Sequence, residues 1–262
     1  MIKLENLTKV FYPGTVNEKI AINGVSLDID EGEIVCIIGS NGSGKSTLFN
    51  LISGTYPLTN GKISFNDHDI TKTPEYKRAK YIGRIFQDPT MGTAANMSIE
   101  DNMITASTKG MKGLKISLNN DKRKEFSKLL IPIGLENRLR DNVGLLSGGQ
   151  RQALTLLMTV MSNPKLILLD EHTAALDPRN ADIVMDLTEK FIVEKNLTAM
   201  MITHNMKFAI EFGTRLIMMD EGKIILDVRG EEKKKLTVEK LVEIFRNIKN
   251  EEFSADEELL NV

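Results

Sequence analysis

The chain has 262 residues and a formal net charge of −2; 41% of its residues are apolar and 27% are charged. This nearly neutral balance excludes a general electrostatic attraction to nucleic acid and is typical of a globular protein with a sizeable core. Cys36 is the single cysteine, which excludes an intramolecular disulfide. The first residues show no secretory signal. The apolar runs fall far short of the roughly 20 residues of a membrane helix, so we expect any membrane role to depend on a partner.

Short strands and turns alternate in the N-terminal part of the chain. Segment Val25–Ile29 alternates apolar and polar residues with period two, which predicts a half-buried antiparallel strand. An apolar run before Gly39 predicts a buried strand. The predicted elements, in order, are strands at Ile2–Val10, Val25–Ile29 and Ile34–Ile38, a helix at Lys45–Ser53, a hairpin at Gly61–Ile70 and a strand at Lys80–Phe86.

The second half of the chain changes to helical periodicity and then alternates strand with helix. Residues 88–161 predict a helical subdomain that ends in a strong helix over Gln150–Met161. Buried strands that alternate with helices imply a largely parallel, layered α/β core, with the subdomain inserted into it. The elements predicted after it are strands at Leu166–Asp170, Thr198–Thr203 and Arg215–Asp220 and helices at Ala181–Lys195 and Lys207–Phe212.

The C-terminal tail has a different composition. A charge run at Glu231–Lys235 precedes a short amphipathic helix, and an acidic segment follows at Glu251–Glu258. The apolar residues at helical spacing are Val238, Leu241, Val242, Phe245 and Ile248. Two interpretations stand: a solvated appendage, which we expect, and a regulatory or docking element.

A phosphate-binding loop is predicted after the strand that ends at Ile38. The eight residues fit the pattern G-x-x-x-x-G-K-[ST] and lie between an apolar strand and a helix. Glycines let backbone N–H groups approach phosphate oxygens, and the start of the helix adds positive potential. Lys45 would bring a cation to the terminal phosphates, and the Ser46 hydroxyl would bind Mg²⁺. The loop residues are Gly39, Ser40, Asn41, Gly42, Ser43, Gly44, Lys45 and Ser46.

An acidic pair follows the apolar strand Leu166–Leu169. Asp170 at such a strand end can hold Mg²⁺ through water, and Glu171 can accept a proton from an attacking water. An Asp-Glu pair alone is typical of an ordinary strand end. Together with the phosphate-binding loop, it predicts a nucleoside triphosphatase.

The segment Leu146–Gln152 reads Leu-Ser-Gly-Gly-Gln-Arg-Gln and resembles the signature sequence of ABC ATPases. The other family motifs follow in the expected order over roughly residues 2–228: the loop at 39–46, Gln87, the acidic strand, Ala175-Leu176-Asp177, and His204. The resemblance implies the P-loop ABC-ATPase fold, which has a mixed core sheet with helices, an antiparallel β subdomain and an inserted helical subdomain at about 88–161. It places the ATPase domain at 1–230 and a charged helical extension at 231–262.

The resemblance also implies residue roles with ATP and Mg²⁺ as cofactors. Phe11 corresponds to the aromatic that stacks on adenine, although a core aromatic and the neighbouring Tyr12 are alternatives. Glu171 corresponds to the general base, His204 to the switch histidine at the γ-phosphate, and Gln87 to the glutamine that reaches metal and water. Further nucleotide contacts are implied for Thr47 and Asp177 and, across a head-to-tail dimer, for Ser147, Gly148, Gly149 and Gln150 of a second copy.

One departure from the family pattern marks a subgroup. Most members read Asp-Glu-Pro-Thr where this chain reads Asp170–Thr173 with His172 in place of proline. We interpret His172 as a tolerated substitution. With the run Asn96–Asn102, the segment resembles the ATPases of bacterial uptake systems that use lipoprotein receptors of the tryptophan/tyrosine-binding type.

That resemblance implies integral-membrane permease partners, an indirect lipoprotein partner, no nucleic acid, and a position at the cytoplasmic face of the cell membrane. A non-transport single cassette, such as the iron–sulfur assembly type, and an exporter cassette remain alternatives. Family members meet the permease after the residue that corresponds to Gln87, where Met91, Met97 and Met103 are either groove or core residues.

Overall fold

Two β-sheets form the framework of the protein in the computed structural model, which describes residues 1–108 and 118–247. The first sheet has four antiparallel strands in the order β2-β1-β4-β5, and the second has six in the order β10-β9-β3-β8-β7-β6. The strands are β1 (Ile2–Phe11), β2 (Lys19–Ile29), β3 (Ile34–Gly39), β4 (Asn60–Phe65), β5 (His68–Asp69), β6 (Ile82–Ile85), β7 (Leu166–Asp170), β8 (Thr198–Ile202), β9 (Arg215–Asp220) and β10 (Lys223–Arg229).

The register of the six-stranded sheet brings the ends of its parallel strands to one edge. Ile202 at the end of β8 pairs with Ile37 of β3 on one side and with Asp170 of β7 on the other. Ile85 at the end of β6 pairs with Leu169. The loops that leave these four strands therefore meet at the carboxyl edge, where open parallel sheets bind their ligands. Only β10 runs antiparallel among the strands of this sheet, as a hairpin with β9.

Helices cover both faces of the six-stranded sheet. Helix α1 starts directly after the phosphate-binding loop, at the predicted residue Lys45. It ends at Ser53. The other helices are α2 (Glu75–Arg78), α3 (Ile99–Ser107), α4 (Asn120–Leu130), α5 (Gly148–Met161), α6 (Pro178–Glu194), α7 (Met206–Phe212), α8 (Gly230–Lys234) and α9, which is described over 238–247.

The core divides along the six-stranded sheet because its strands are apolar on both faces. Val35 and Ile37 of β3 pack with the four-stranded sheet and α1, while Cys36 and Ile38 point to the opposite side. A second apolar cluster joins α3, α4, α5 and α6 to the strands β6, β7 and β8. The helical segment at 88–161 therefore shares its core with the sheet, and its boundary as a separate subdomain stays a prediction.

The tail differs from the solvated appendage that we expected. Leu241 on α9 has no exposed surface and packs with Cys36 and Met218, and Phe245 lies against the same cluster. Lys233 on α8 is also buried and donates a hydrogen bond to the carbonyl of Ile210. The amphipathic helix is confirmed through residue 247, but the solvated interpretation is wrong up to that residue because the helix packs on the apolar cluster through Leu241 and Phe245. Ile248 and the acidic run at 251–258 lie outside the described residues.

Candidate active site

A cavity of about 230 Å³ lies over the carboxyl edge of the sheet. It brings together the phosphate-binding loop, the end of β1, the start of β2 and Glu171, which follows β7. Among the described residues, its lining consists of Phe11, Lys19, Ala21, Asn41, Gly42, Gly44, Lys45, Ser46, Thr47 and Glu171. Eight of these ten belong to the nucleotide-contact or catalytic residues predicted from the sequence, namely all but Lys19 and Ala21.

Two glycines of the loop are required by close backbone contacts. Gly39 has a φ of 147°, and a Cβ there would lie 2.2 Å from the carbonyl oxygen of Met219. Gly44 has a φ of 103°, and a Cβ there would lie 2.5 Å from the carbonyl oxygen of Ala21. Both positions combine a left-handed backbone with a contact that no side chain fits, so the loop conformation depends on glycine at each.

Lys45 is a buried residue of the phosphate-binding loop. Its Nζ donates hydrogen bonds to the carbonyl oxygens of Gly39 and Ser40, at 2.9 and 2.8 Å. Burial lowers the pKa of Lys45, while the nearby Glu171 and Asp170 carboxylates oppose that shift. The ammonium group is thus already held inside the loop, where it can exchange carbonyl partners for phosphate oxygens.

Asp170 is the acidic group that contacts the loop. The Ser46 hydroxyl donates to its Oδ1 at 3.3 Å, and Arg84 Nη2 lies 3.1 Å from its Oδ2. Hydroxyl and carboxylate oxygens are the donors that Mg²⁺ prefers, and this ion usually keeps waters and substrate phosphates as its other ligands. Within the residues that the structure describes, no cluster of three or more His, Cys, Asp or Glu forms a protein-only metal site. The Ser46–Asp170 pair therefore fits Mg²⁺ bound together with a nucleotide.

Arg84 is a site residue that the sequence analysis missed. It lies on β6, and nothing in the predicted strand indicated that this arginine belongs to the site. Its partner Asp170 is 86 positions away along the chain. Its guanidinium also donates to Asn50 Oδ1 at 2.6 Å and lies over the Phe86 ring, 4.6 Å from the centroid. Arg84 connects β6, α1 and the acidic end of β7.

Glu171 and His204 meet beside the cavity. His204 Nε2 lies 2.9 Å from Glu171 Oε1, and the Glu171 side chain is 15% exposed. The Glu171 backbone has a φ of 46°, and its N–H donates to the carbonyl of Ile202 at 3.1 Å. A positive φ outside glycine is uncommon and is maintained only where the surroundings fix it. The structure thus joins two predicted catalytic residues that follow neighbouring strands.

The signature segment forms the start of α5. The Ser147 hydroxyl accepts the N–H of Gln150, and the Gln150 side chain accepts the N–H of Ser147, which makes a complete capping box. A Cβ at Gly149 would lie 2.7 Å from the Asn180 side chain. Asn180 in turn donates to Asp177, the N-cap of α6. The signature and the Asp177 loop therefore pack together, and neither is among the described residues that line the cavity.

Two further predicted residues, Phe11 and Gln87, differ in their relation to the cavity. Phe11 lines the cavity, packs edge-on against Tyr56 at a centroid distance of 5.5 Å, and lies under Lys9 Nζ. The alternative Tyr12 is 68% exposed. Gln87 follows β6 with an exposed side chain and is not among the described residues that line the cavity. The roles of Phe11 and Gln87 stay predictions.

Gln152 is a second residue that the sequence analysis did not single out, although it was quoted within the signature. Its side chain has no exposed surface. Nε2 donates to the carbonyl oxygen of Phe86 at 3.0 Å and to that of His172 at 2.7 Å. One amide thus bridges the residue before Gln87 and the residue after Glu171. In the sequence, the only signal was the position of Gln152 within the signature segment.

His172 is fully enclosed. Its Nε2 lies 3.0 Å from Thr188 Oγ1, and that hydroxyl donates its own proton to the carbonyl of Val184. Nε2 must therefore carry the ring proton, which defines the neutral tautomer. Burial lowers the pKa of His172 to about 4. The ring is a neutral core group in α6 packing, which supports the interpretation of His172 as a tolerated substitution.

The fold and the site define a P-loop nucleoside triphosphatase. The family description "ABC transporter" matches residues 22–174, and the chain belongs to this family as an ATP-binding, ATP-hydrolysing transporter subunit. A tyrosine transport ATP-binding protein of Clostridioides difficile is 45% identical over 94% of this chain and 98% of that protein. A phosphonates import ATP-binding protein of Lactococcus lactis is 32% identical over 94% and 99%.

Solved structures agree with this assignment. A nucleotide-free ATP-binding cassette of an ABC transporter superposes with a TM-score of 0.74 at 30% identity, over 94% of this chain and 98% of that one. A dimeric cassette in a post-hydrolysis state bound to ADP and Pi has a TM-score of 0.73 at 29% identity, over 87% and 98%. Among residues 1–108 and 118–247, no helix has the length and apolarity required to cross a membrane. ABC cassettes work as dimers with membrane permeases.

Proposed function

We propose that this chain hydrolyses MgATP between two of its own copies to drive uptake of a small solute through a partner permease. The observation that carries the proposal is the 3.3 Å contact between Ser46 Oγ and Asp170 Oδ1, which joins the phosphate-binding loop to the acidic strand end. A loop that holds phosphates and a carboxylate that faces its first helical turn are the two halves of a phosphoryl-transfer site.

The chain's own residues supply binding and proton transfer. Backbone N–H groups of Gly39–Ser46 and the start of α1 receive the phosphates, and Lys45 exchanges its two carbonyl partners for phosphate oxygens. Ser46 and Asp170 would hold Mg²⁺, with Gln87 as a third candidate, and the ion when bound would neutralise phosphate charge. Glu171 would accept a proton from the attacking water, with His204 fixing its carboxylate and contacting the γ-phosphate.

A second copy completes the site in this proposal. Ser147, Gly148 and Gly149 lie at the N-terminus of α5, where the N–H groups of the two glycines and the helix dipole suit an anion. These residues are not part of their own chain's cavity, and a similar cassette is known as a dimer with ADP and Pi. We therefore assign them, with Gln150 and Asp177, to the nucleotide held by the partner copy.

Exposed apolar side chains lie in the two segments that we propose to face the permease. Met91, Met97 and Leu145 are 63%, 41% and 72% exposed. The backbone N–H of Val143 donates to the carbonyl of Met97, which holds the two segments together. Met103, in contrast, is fully buried in the core. Of the two alternatives left open by the sequence, Met91 and Met97 fit the groove and Met103 fits the core.

The transported solute is proposed to be an aromatic amino acid, delivered by a lipoprotein receptor, with the cassette at the cytoplasmic face of the cell membrane. Support comes from the 45% identity to a protein named for tyrosine transport and from the resemblance of the segment that contains His172. Export and the iron–sulfur assembly type are the outcomes that would replace it.

The test is a pull-down of the tagged chain from detergent-solubilised membranes, with identification of the proteins that accompany it. A multi-span permease together with a lipoprotein supports uptake, and tryptophan or tyrosine binding by that lipoprotein supports the solute class. A multi-span protein without a receptor moves the assignment to export, and only soluble partners move it to a non-transport role.

Nucleotide binding is tested separately. Lys45→Ala should lose ATP affinity, while the control Lys62→Ala, which removes an exposed cation, should retain it. Unchanged ATP affinity in Lys45→Ala would contradict the assigned phosphate-binding loop.

A further inference from the structure

Arg84 places a permanent positive charge against the carboxylate assigned to the metal. Its Nη2 lies 3.1 Å from Asp170 Oδ2, and the two side chains are 11% and 12% exposed. The other oxygen of the same carboxylate accepts from Ser46. Asp170 therefore has one oxygen directed to a resident cation and one directed to the loop that would share Mg²⁺.

The guanidinium is fixed rather than free to swing. Nη1 donates to Asn50 Oδ1 at 2.6 Å and reaches Ser53 Oγ at 3.4 Å, both on α1. The central carbon of the guanidinium lies over the ring of Phe86, at 4.6 Å from the centroid. A planar cation that is held on two sides keeps its position when a ligand arrives.

The positive charge of Arg84 acts differently on Asp170 with and without a metal ion. A nearly buried carboxylate without a partner is costly, so Arg84 stabilises Asp170 when no metal is present. When a divalent cation approaches the other oxygen, the guanidinium repels it over a short distance of low polarity. The same group thus favours the metal-free state and opposes the metal-bound state.

We propose that Arg84 is a positioning residue that acts as a counter-cation for Asp170 and weakens metal binding in the nucleotide site. The inference rests on the proposed MgATP site and deepens it, because it assigns control of metal affinity to a residue outside the recognised motifs. A purely structural tie between β6 and α1 would also use the contacts to Asn50 and Ser53, but it predicts no change in metal affinity.

The experiment measures Mn²⁺ binding to the full-length protein in the presence of ADP, from the electron paramagnetic resonance signal of free Mn²⁺. Arg84→Met removes the charge, Arg84→Lys retains it, and Lys165→Met removes one positive charge at the opposite end of β7. We expect Mn²⁺ to bind about tenfold tighter to Arg84→Met, with Arg84→Lys within about threefold of the unmodified protein and Lys165→Met unchanged. Equal or weaker binding to Arg84→Met overturns the inference.

Thermal unfolding in the presence of ADP provides a second measurement. Metal-free Arg84→Met should unfold at a lower temperature than the unmodified protein, and added Mg²⁺ should restore more of its stability than it adds to the unmodified protein. An equal Mg²⁺ response would overturn the inference. If Arg84→Met does not fold, Arg84→Gln, which keeps hydrogen bonds without the charge, is measured in the same way. Failure of the unmodified protein to bind Mn²⁺ and ADP would instead overturn the proposed function, and the inference with it.

Discussion

Nε2 of His204 lies 2.9 Å from Oε1 of Glu171, across the ends of two neighbouring parallel strands. The contact is a hydrogen bond for a neutral imidazole and an ion pair for a protonated one. It fixes a carboxylate that is 15% exposed beside the phosphate-binding loop. The geometry therefore holds the proposed base in place beside the loop.

Replacement of Glu171 by Gln should separate binding from hydrolysis. The amide keeps the size of the side chain but cannot accept the proton, so we expect kcat to fall by about 10²-fold or more while ATP affinity stays within about threefold. In the presence of ATP, the Glu171→Gln variant should then accumulate as a dimer, which size-exclusion chromatography with light scattering measures. The control Glu189→Gln changes an exposed carboxylate on α6 and should leave both unchanged. Hydrolysis at the unmodified rate would show that Glu171 is not the base.

Gln152 should affect turnover more than nucleotide binding. Its amide bridges the carbonyls of Phe86 and His172, so Gln152→Met leaves one buried and one partly buried acceptor without this donor. We expect a loss of about 2 kcal/mol in the free energy of unfolding and a lower kcat with little change in KM. Urea denaturation and steady-state ATPase measurements test this expectation.

A matched control for Gln152 lies on the same helix. The Thr159 hydroxyl bonds only within α5, to the carbonyl of Thr155, so Thr159→Val should resemble the unmodified protein. Gln152→Glu should be at least as damaging as Gln152→Met, because a carboxylate has no donor for either carbonyl. If Gln152→Met lost stability but kept its kcat, the bridge would be structural only.

Arg78 anchors the end of α1 from outside the site. The side chain is 2% exposed, and its guanidinium donates to the carbonyls of Leu51 and Ile52 at the helix C-terminus, both at 2.8 Å. It donates further to the carbonyls of Thr73, Ile70 and Thr71. Arg78→Met should cost about 3 kcal/mol or more, because buried carbonyls lose charged donors. Urea denaturation should show a change within about 0.5 kcal/mol for the exposed control Arg140→Met; a similar small change for Arg78→Met would refute the anchoring role.

Local patterns predicted the site better than they predicted its support. The bounds of Lys45–Ser53, Leu166–Asp170 and Arg215–Asp220 agree with the structure because each element is defined by a short apolar run and its own ends. Arg84 and Gln152 were missed because their partners lie 86 and 66 positions away along the chain. Such contacts depend on strand register and on the packing of α5 against the sheet, which periodicity does not contain.

Two other differences have local causes. Strand β10 was not predicted, although Glu221 and Gly222 form a two-residue turn with positive φ at both positions, which is a hairpin signal. The tail was expected to be solvated because its charges dominate its composition. Leu241 is nevertheless buried, because it packs against the apolar face that β3 and β9 form.

His172 should make stability depend on acid. Its pKa in the folded protein is about 4, compared with an ordinary value of 6.5, because burial disfavours the charged ring. As the pH falls below 6.5, the unfolded chain binds the proton first, so the stability present above that pH is lost progressively down to pH 4. By pH 5 the loss relative to pH 7.5 amounts to about 2 kcal/mol.

Replacement by glutamine tests this dependence. His172→Gln keeps a donor for Thr188 but cannot take up the proton. Between pH 7.5 and pH 5, its free energy of unfolding in urea should therefore fall by about 2 kcal/mol less than that of the unmodified protein. His68→Gln removes an exposed histidine and should retain the full pH dependence of the unmodified protein. If His172→Gln and the unmodified protein lose the same stability over this range, His172 takes up its proton while folded. The ring would then be open to solvent, and its neutral packing against α6 would be wrong.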